Sequence, residues 1–199
     1  LTSRKCVLEE VDSLLQKNAI ELVSEKERNQ GFYSRIFVFP KKGGGRRTIL
    51  NVKPLNKFIK KKRFKMQTVR TILQGIQLGD WVAKLDLKDA YFHIPIHAEH
   101  RKYLRFSVMG RSFQYKALCF GLSTAPRVFT KVMSVVGAYL HSHQIRIFQY
   151  LDDWLICGTS KVEAERAVAQ VINTVQSLGL VINWEKSNLT PSQHMEYLG

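Results

Sequence analysis

The run Arg146-Ile147-Phe148-Gln149-Tyr150-Leu151-Asp152-Asp153-Trp154-Leu155-Ile156-Cys157-Gly158 sets two adjacent carboxylates in the middle of an apolar, strand-like stretch. Alternation with a period of two on both sides of the pair, closed by Gly158, predicts a tight β-hairpin with the carboxylates at its bend. No basic residue stands beside them. Burying one ionised carboxylate is costly and burying two neighbours more so, which makes a bound metal cation the expected partner. An Asp-Asp turn on a solvated hairpin tip is the bland alternative. The flanks Phe148, Tyr150, Leu151, Trp154, Leu155 and Ile156 are too apolar for a free tip.

A chain of 199 residues, 45% of them hydrophobic, can bury a real core as one large domain or two small ones. No apolar run approaches the length of a membrane span, and no signal peptide is visible. The first residue is not Met and the sequence stops at Tyr197-Leu198-Gly199, so a segment of a longer polyprotein is expected. Cys6, Cys119 and Cys157 are odd in number and widely spaced, which argues against a disulfide framework and for the cytoplasm or nucleus. His97 with His100, and His141 with His143, lack partners at zinc-finger spacing.

Charge is more informative. Lys and Arg number 31 against 16 acidic residues, for a net +15, and no carboxylate occurs between Arg28 and Gly79. Cations accumulate there from Lys41 to Lys65, interleaved with Phe37, Phe39, Ile49, Leu50, Val52 and Phe58. Solvated tails carry such charge without the apolar residues. A folded basic face of this kind is the footprint of a nucleic-acid or polyphosphate binder.

Taken in order, residues 4–18 read as an amphipathic helix and 19–23 as a short strand. Strands over 34–39 and 47–52 flank Pro40-Lys41-Lys42-Gly43-Gly44-Gly45-Arg46, a glycine-rich tip that is either a solvated turn or a basic clamp for a triphosphate. Residues 68–77 read as a helix, and the strand 81–86 runs into Asp86, another carboxylate in an apolar strand without an adjacent counter-charge. Strands are predicted at 101–108 and 112–116, then a loop over 118–126 feeding a helix that carries Val128, Phe129, Val132, Met133, Val136 and Leu140. A helix over 163–178, a strand over 180–184 and the first arm of a further strand pair from His194 complete the reading. Few carboxylates can meet in a core, and Asp86, Asp152 and Asp153 are the obvious trio. With neither repeat nor linker visible, two lobes would have to be interwoven in sequence.

The ordered set of basic glycine-tipped hairpin, strand ending in Asp86, loop and helix at Phe120-Gly121-Leu122-Ser123-Thr124-Ala125-Pro126, and Tyr150-Leu151-Asp152-Asp153 resembles the fingers and palm of a retroelement reverse transcriptase. The wording of Lys88-Asp89-Ala90-Tyr91-Phe92-His93-Ile94-Pro95-Ile96 is most similar to the DIRS-type and Ty3-like LTR elements. The resemblance implies an α+β right-hand polymerase fold, with an antiparallel palm sheet backed by helices. Fingers would span 1–61 and 94–124, palm 62–93 and 125–199, with the thumb absent and the chain ending where a primer grip begins. It also implies an RNA-directed DNA polymerase, a nucleotidyltransferase that adds dNTPs to a primer 3′-hydroxyl.

Its site residues carry over one by one. Asp86, Asp152 and Asp153, with Leu87 beside them, would hold two Mg²⁺ (or Mn²⁺) ions about 3.5–4 Å apart. Lys186 matches a lysine near the pyrophosphate, a candidate general acid. Lys41 (or Lys42), Arg47, Asp89, Ala90, Tyr91, Phe120 and Gly121 would meet the nucleotide, Tyr91 as a ring that excludes a 2′-hydroxyl. Lys53, Asn56, Lys57, Tyr150 and Met195 would touch nucleic acid. Expected partners are an RNA and DNA primer–template, dNTP and a parent polyprotein with thumb and RNase H, with no membrane. An RNA-dependent RNA polymerase palm is the first alternative, disfavoured by Tyr91 and by Tyr150 before the Asp pair. An inactive RNA-binding relative is the second, disfavoured because all three aspartates are present.

Overall fold

The computed structural model describes residues 4–40, 45–60 and 62–197. In chain order its elements are α1 (Arg4–Gln16), β1 (Ile20–Leu22), β2 (Ile36–Pro40), β3 (Arg46–Leu50), α2 (Val69–Gly75), β4 (Trp81–Asp86) and α3 (Ala98–Arg101). There follow β5 (Arg105–Val108), β6 (Arg111–Tyr115), α4 (Ala125–Ser142), β7 (Arg146–Tyr150), β8 (Asp153–Gly158), α5 (Lys161–Ser177) and β9 (Asn188–Ser192). The chain divides into two compact units, each assembled from two separate stretches: residues 1–62 with 91–125, and residues 63–90 with 126–199.

The first unit holds two small antiparallel sheets, β1-β6-β5 and β2-β3. Met109 and Gly110 both have positive φ between the paired residues Val108 and Arg111, the two-residue turn whose twist suits a hairpin. Phe106 and Phe113 stack at 5.6 Å and bury with Tyr115, and one face of α1 contributes buried Val11 and Leu14. Among the described residues of this unit, Arg105 is the buried cation. Its guanidinium donates to the carbonyls of Glu27 and Gln30, both at 2.6 Å, and to Gln114 Oε1 at 2.9 Å, so its charge is solvated by the protein itself.

The second unit is built on a four-stranded antiparallel sheet, β7-β8-β4-β9. The sequence dictates this order through burial. The β8 residues Trp154, Leu155, Ile156 and Cys157 are all buried, which suits an inner strand covered on both faces. Ser160 caps α5, its Oγ accepting from Glu163 N at 3.2 Å, and Ala164, Ala167, Val168, Val171 and Val175 form the buried face. Gly158 is required by close approach, since a Cβ there would lie 2.5 Å from Ala164 N. On α2, Thr68 and Thr71 form a reciprocal capping box. Asp80, which ends that segment, is buried and takes a bidentate fork from Arg146 at 2.8 and 2.6 Å, tying the loop before β4 to the start of β7.

Two expectations are corrected here. Residues 180–184 do not form a strand; a single bridge, Ile182 to Leu87, remains. Their backbone is committed to the residues just past β4: Lys88 N donates to Val181 O and Asn183 N to Asp86 O, both at 2.8 Å. The edge of β4 is taken instead by β9, which contains Pro191, tolerable because an edge strand need not donate on its outer side. Residues 194–197 likewise carry no strand.

Candidate active site

The β7–β8 hairpin and β4 bring the carboxylates to one end of the sheet in the second unit. Asp153, first residue of β8, pairs in register with Tyr150 on one side and Asp86 on the other. Directly opposed residues of an antiparallel pair carry their side chains on the same face, with Cβ atoms about 4.5–5.5 Å apart. Asp152 occupies the bend with Leu151, whose φ of 52° is left-handed. That strained turn is held by two bonds: Trp154 Nε1 donates to Leu151 O and Leu87 N to Asp152 O, both at 2.9 Å. Tyr197 adds a third tie, its hydroxyl donating to Asp153 O at 3.0 Å.

No basic residue adjoins the pair in sequence, but the fold brings one to Asp153. Lys84 lies two residues before Asp86, on the same face of β4 and diagonal to Asp153, and its Nζ sits 3.1 Å from Asp153 Oδ1. Asp86 is only 8% exposed. Burial pushes its carboxyl above the usual carboxylate range, the Asn183 side-chain bond works in the other direction, and the charge of Asp153 adds to the rise. Lys186 and Lys84 pull it back down, which puts the predicted Lys186 within electrostatic reach of Asp86.

Among the described residues no three His, Cys, Asp or Glu side chains converge into a ready-made metal cage. Lys84 holds Asp153 Oδ1 at 3.1 Å and Asn183 Nδ2 donates to Asp86 Oδ1 at 2.9 Å, so each of these carboxylates has a partner of its own. The donor set nevertheless fits Mg²⁺. Asp86, Asp152 and Asp153 offer hard carboxylate oxygens at one sheet end, and neither histidine nor thiolate is needed for that ion.

Asp89, with φ of 51°, and buried Ala90 form the turn just after β4. Tyr150 and Met195 are partly buried, packed with Tyr197 against Ile72, Val82, Leu155 and Cys157, so each offers nucleic acid only part of its side chain.

In the first unit, the Arg47 guanidinium lies 5.1 Å from the centre of the Phe120 ring, and Tyr91 meets the same ring at 5.0 Å. Arg47, Phe120 and Tyr91 thus form one cation–aromatic stack. Gly121 has φ of +104°, and a Cβ there would meet the Leu50 carbonyl oxygen at 2.4 Å. The glycine is demanded by the chain's own backbone. Asn56, expected to touch nucleic acid, has both ends of its amide committed to this loop: Nδ2 donates to Gly121 O at 2.8 Å and Oδ1 accepts from Ser123 N at 2.9 Å. It is a loop clamp. Lys53 and Lys57 are exposed, and Lys41 and Lys42 lie outside the described residues. The sequence reading missed Lys84, Asn183, Ser187 and Tyr197. The i−2 spacing places Lys84 on the face of Asp86, but its reach to Asp153 was not detectable, and neither were the other three.

Solved structures define the class. The whole chain superposes on one third (33%) of the foamy viral protease–reverse transcriptase dRH in complex with double-stranded DNA, at a TM-score of 0.87 and 19% identity. A second foamy viral protease–reverse transcriptase structure, also with double-stranded DNA, gives 0.85 over the full chain and 40% of that one. The fold is the α+β fold of a polymerase of that kind. The family profile described as "Reverse transcriptase (RNA-dependent DNA polymerase)" matches residues 39–199, and the chain belongs to this family. Relatives include the transposon Tf2-3 polyprotein of Schizosaccharomyces pombe, 31% identical over 82% of this chain and 12% of that polyprotein. The genome polyprotein of Petunia vein clearing virus is 28% identical over 96% of this chain and 9% of its own length. The chain therefore spans only a small fraction of these polyproteins.

Proposed function

We propose that this chain carries the fingers and palm of an RNA-directed DNA polymerase, extending a primer 3′-hydroxyl with dNTPs on a nucleic-acid template. The observation that carries the reading is the cross-strand pairing of Asp86 with Asp153, beside Asp152, at one sheet end. These three side chains, with Leu87 adjacent, would hold two Mg²⁺ ions, or Mn²⁺ in their place. Such ions supply charge neutralisation at the transferring phosphoryl group and activation of the attacking hydroxyl. The chain's own groups do the rest. The second unit serves as palm, its sheet fixing the aspartates, and Lys186 supplies a proton or positive charge near the leaving group. The first unit serves as fingers, with Arg47, Phe120 and Tyr91 toward the nucleotide. The basic block from Lys41 to Lys65 would bind primer–template phosphates, and a larger polyprotein would supply the remaining domains.

Cys6, Cys119 and Cys157 are free thiols, and burial pushes Cys119 and Cys157 up to about 12, keeping them protonated and inert. The odd number and wide spacing of the cysteines support a reducing compartment, cytoplasmic or nuclear. The test is Mg²⁺-dependent primer extension on an RNA template with dNTPs or NTPs offered separately. Incorporation of dNTPs is expected; a preference for NTPs would turn the reading into an RNA polymerase, and nucleic-acid binding without extension into an inactive relative.

Tyr91 makes the sugar preference testable. Its ring is buried against Phe120, and in this reading it would occupy the space a ribose 2′-hydroxyl needs. Tyr91→Ala is expected to lower the dNTP-over-NTP ratio of kcat/KM by about a hundredfold. An unchanged ratio would make Tyr91 simply a core aromatic.

A further inference from the structure

The loop after α5 does more than return the chain to the sheet. Val181 is exposed, Ile182 buried, and Asn183 half-buried, so a polar side chain is directed inward where an apolar one would be the ordinary choice. Asn183 meets Asp86 twice, its backbone N donating to Asp86 O at 2.8 Å and its Nδ2 to Asp86 Oδ1 at 2.9 Å. Ser187 closes the arrangement: its Oγ accepts from Asp86 N at 3.0 Å and donates to Asn183 O at 2.8 Å. Lys186 N and Ser187 N also donate to Asn183 O, at 3.2 and 3.0 Å. Asp86 is thereby gripped at its amide, its carbonyl and one carboxylate oxygen by a single five-residue loop.

The two carboxylates are restrained differently. Asp153 is met by the ammonium of Lys84, a charge that competes with any metal for the same oxygen. Asp86 is met by a neutral amide, which fixes the carboxylate's rotation without cancelling its charge. A ligand carboxylate held by one hydrogen bond keeps its second oxygen for the cation and loses less rotational freedom when the ion arrives.

We propose that Asn183 is a positioning residue for the Asp86 carboxylate, occupying Oδ1 so that Oδ2 is presented to a divalent cation, and that the same loop sets Lys186 relative to that cation. The proposal rests on the reading of Asp86 as a metal ligand. A loop tie serving stability alone would use the same bonds, and the two differ in what their loss changes.

The test uses Mn²⁺ alone as probe, with binding by the full chain followed through the electron paramagnetic resonance signal of the free ion. Asn183→Ala is expected to weaken Mn²⁺ binding by about ten- to a hundredfold, and to raise by a similar factor the Mg²⁺ needed for half-maximal primer extension, the rate returning at saturating Mg²⁺. Wild-type Mn²⁺ affinity in a folded Asn183→Ala chain overturns the proposal. A measurement on the unaltered chain covers the case where that variant does not fold. The Asn183 Nδ2 amide resonance of the ¹⁵N-labelled protein should shift on titration with Mg²⁺, and an amide signal that stays put while the chain binds the ion overturns the proposal equally. Asp86→Asn distinguishes the underlying reading: if it binds Mn²⁺ as tightly as the wild-type chain, Asp86 is no ligand and the proposal falls with that assignment.

Discussion

Asp86→Asn is expected to abolish nucleotide addition, by about a thousandfold or more, while leaving the protein folded and melting no lower than the wild type. The first half follows from chemistry. An amide oxygen is a poor ligand for a hard divalent cation, and a thousandfold corresponds to about 4 kcal/mol of lost transition-state stabilisation. The second half follows from burial. The folded state raises the Asp86 pKa, so the protonated acid is the form that folding favours. Stability from this group is therefore fully present below the unfolded pKa and is lost as pH rises through the folded value, above which the buried carboxylate is a liability. Asparagine removes the charge, keeps an oxygen to accept from Asn183 Nδ2, and relieves the repulsion from Asp153. Primer extension and a thermal melt at neutral pH check both halves. Asp152→Asn should share the loss of activity. Wild-type incorporation by either variant would remove the aspartates from the mechanism.

Trp154→Ala is expected to have the largest effect on stability. The side chain is fully buried at 0% exposure on an inner strand, and its indole N–H holds the Leu151 carbonyl in the bend. Truncating such a residue costs about 3–5 kcal/mol, which for a chain of this size lowers the melting temperature by about 6–20 °C. Trp154→Phe separates the two roles. It keeps most of the packing and loses only the hydrogen bond to Leu151, so its melting temperature should fall far less while primer extension still declines. A Trp154→Phe chain of full activity would mean that packing alone fixes the bend.

The hairpin and its carboxylates were readable because they are local. Period-two alternation from Arg146 to Gly158 is written in consecutive residues, and the strand ending at Asp86 likewise. What stayed hidden depends on which strands become neighbours. Nothing near Asp153 in sequence announces Lys84, which reaches it only because β4 lies beside β8. The Asp80–Arg146 fork requires β7 and the loop before β4 to meet. Residues 180–184 look like a strand on periodicity, and lose that identity because Asp86, Leu87 and Lys88 claim their backbone groups. β9 is hard to read locally because Pro191 is unfavourable in a strand unless that strand lies at a sheet edge. Asn56 and Gly121 also have partners within the chain itself, which local sequence does not announce.

β4 acquires its neighbours from far downstream, residues 153–158 on one side and 188–192 on the other. During synthesis from the N-terminus it therefore leaves the ribosome as a bare, apolar strand with both edges open. Pairing of this non-local kind is slow, and open edges are what chaperones hold and what aggregates. Neither unit is a contiguous stretch, so a nascent chain halted between residues 86 and 125 contains no finished unit on which to rest. The carboxylate site cannot form piecemeal. It draws on Asp86, Asp152, Asp153 and the loop 183–187, so it is complete only when the last of these has emerged.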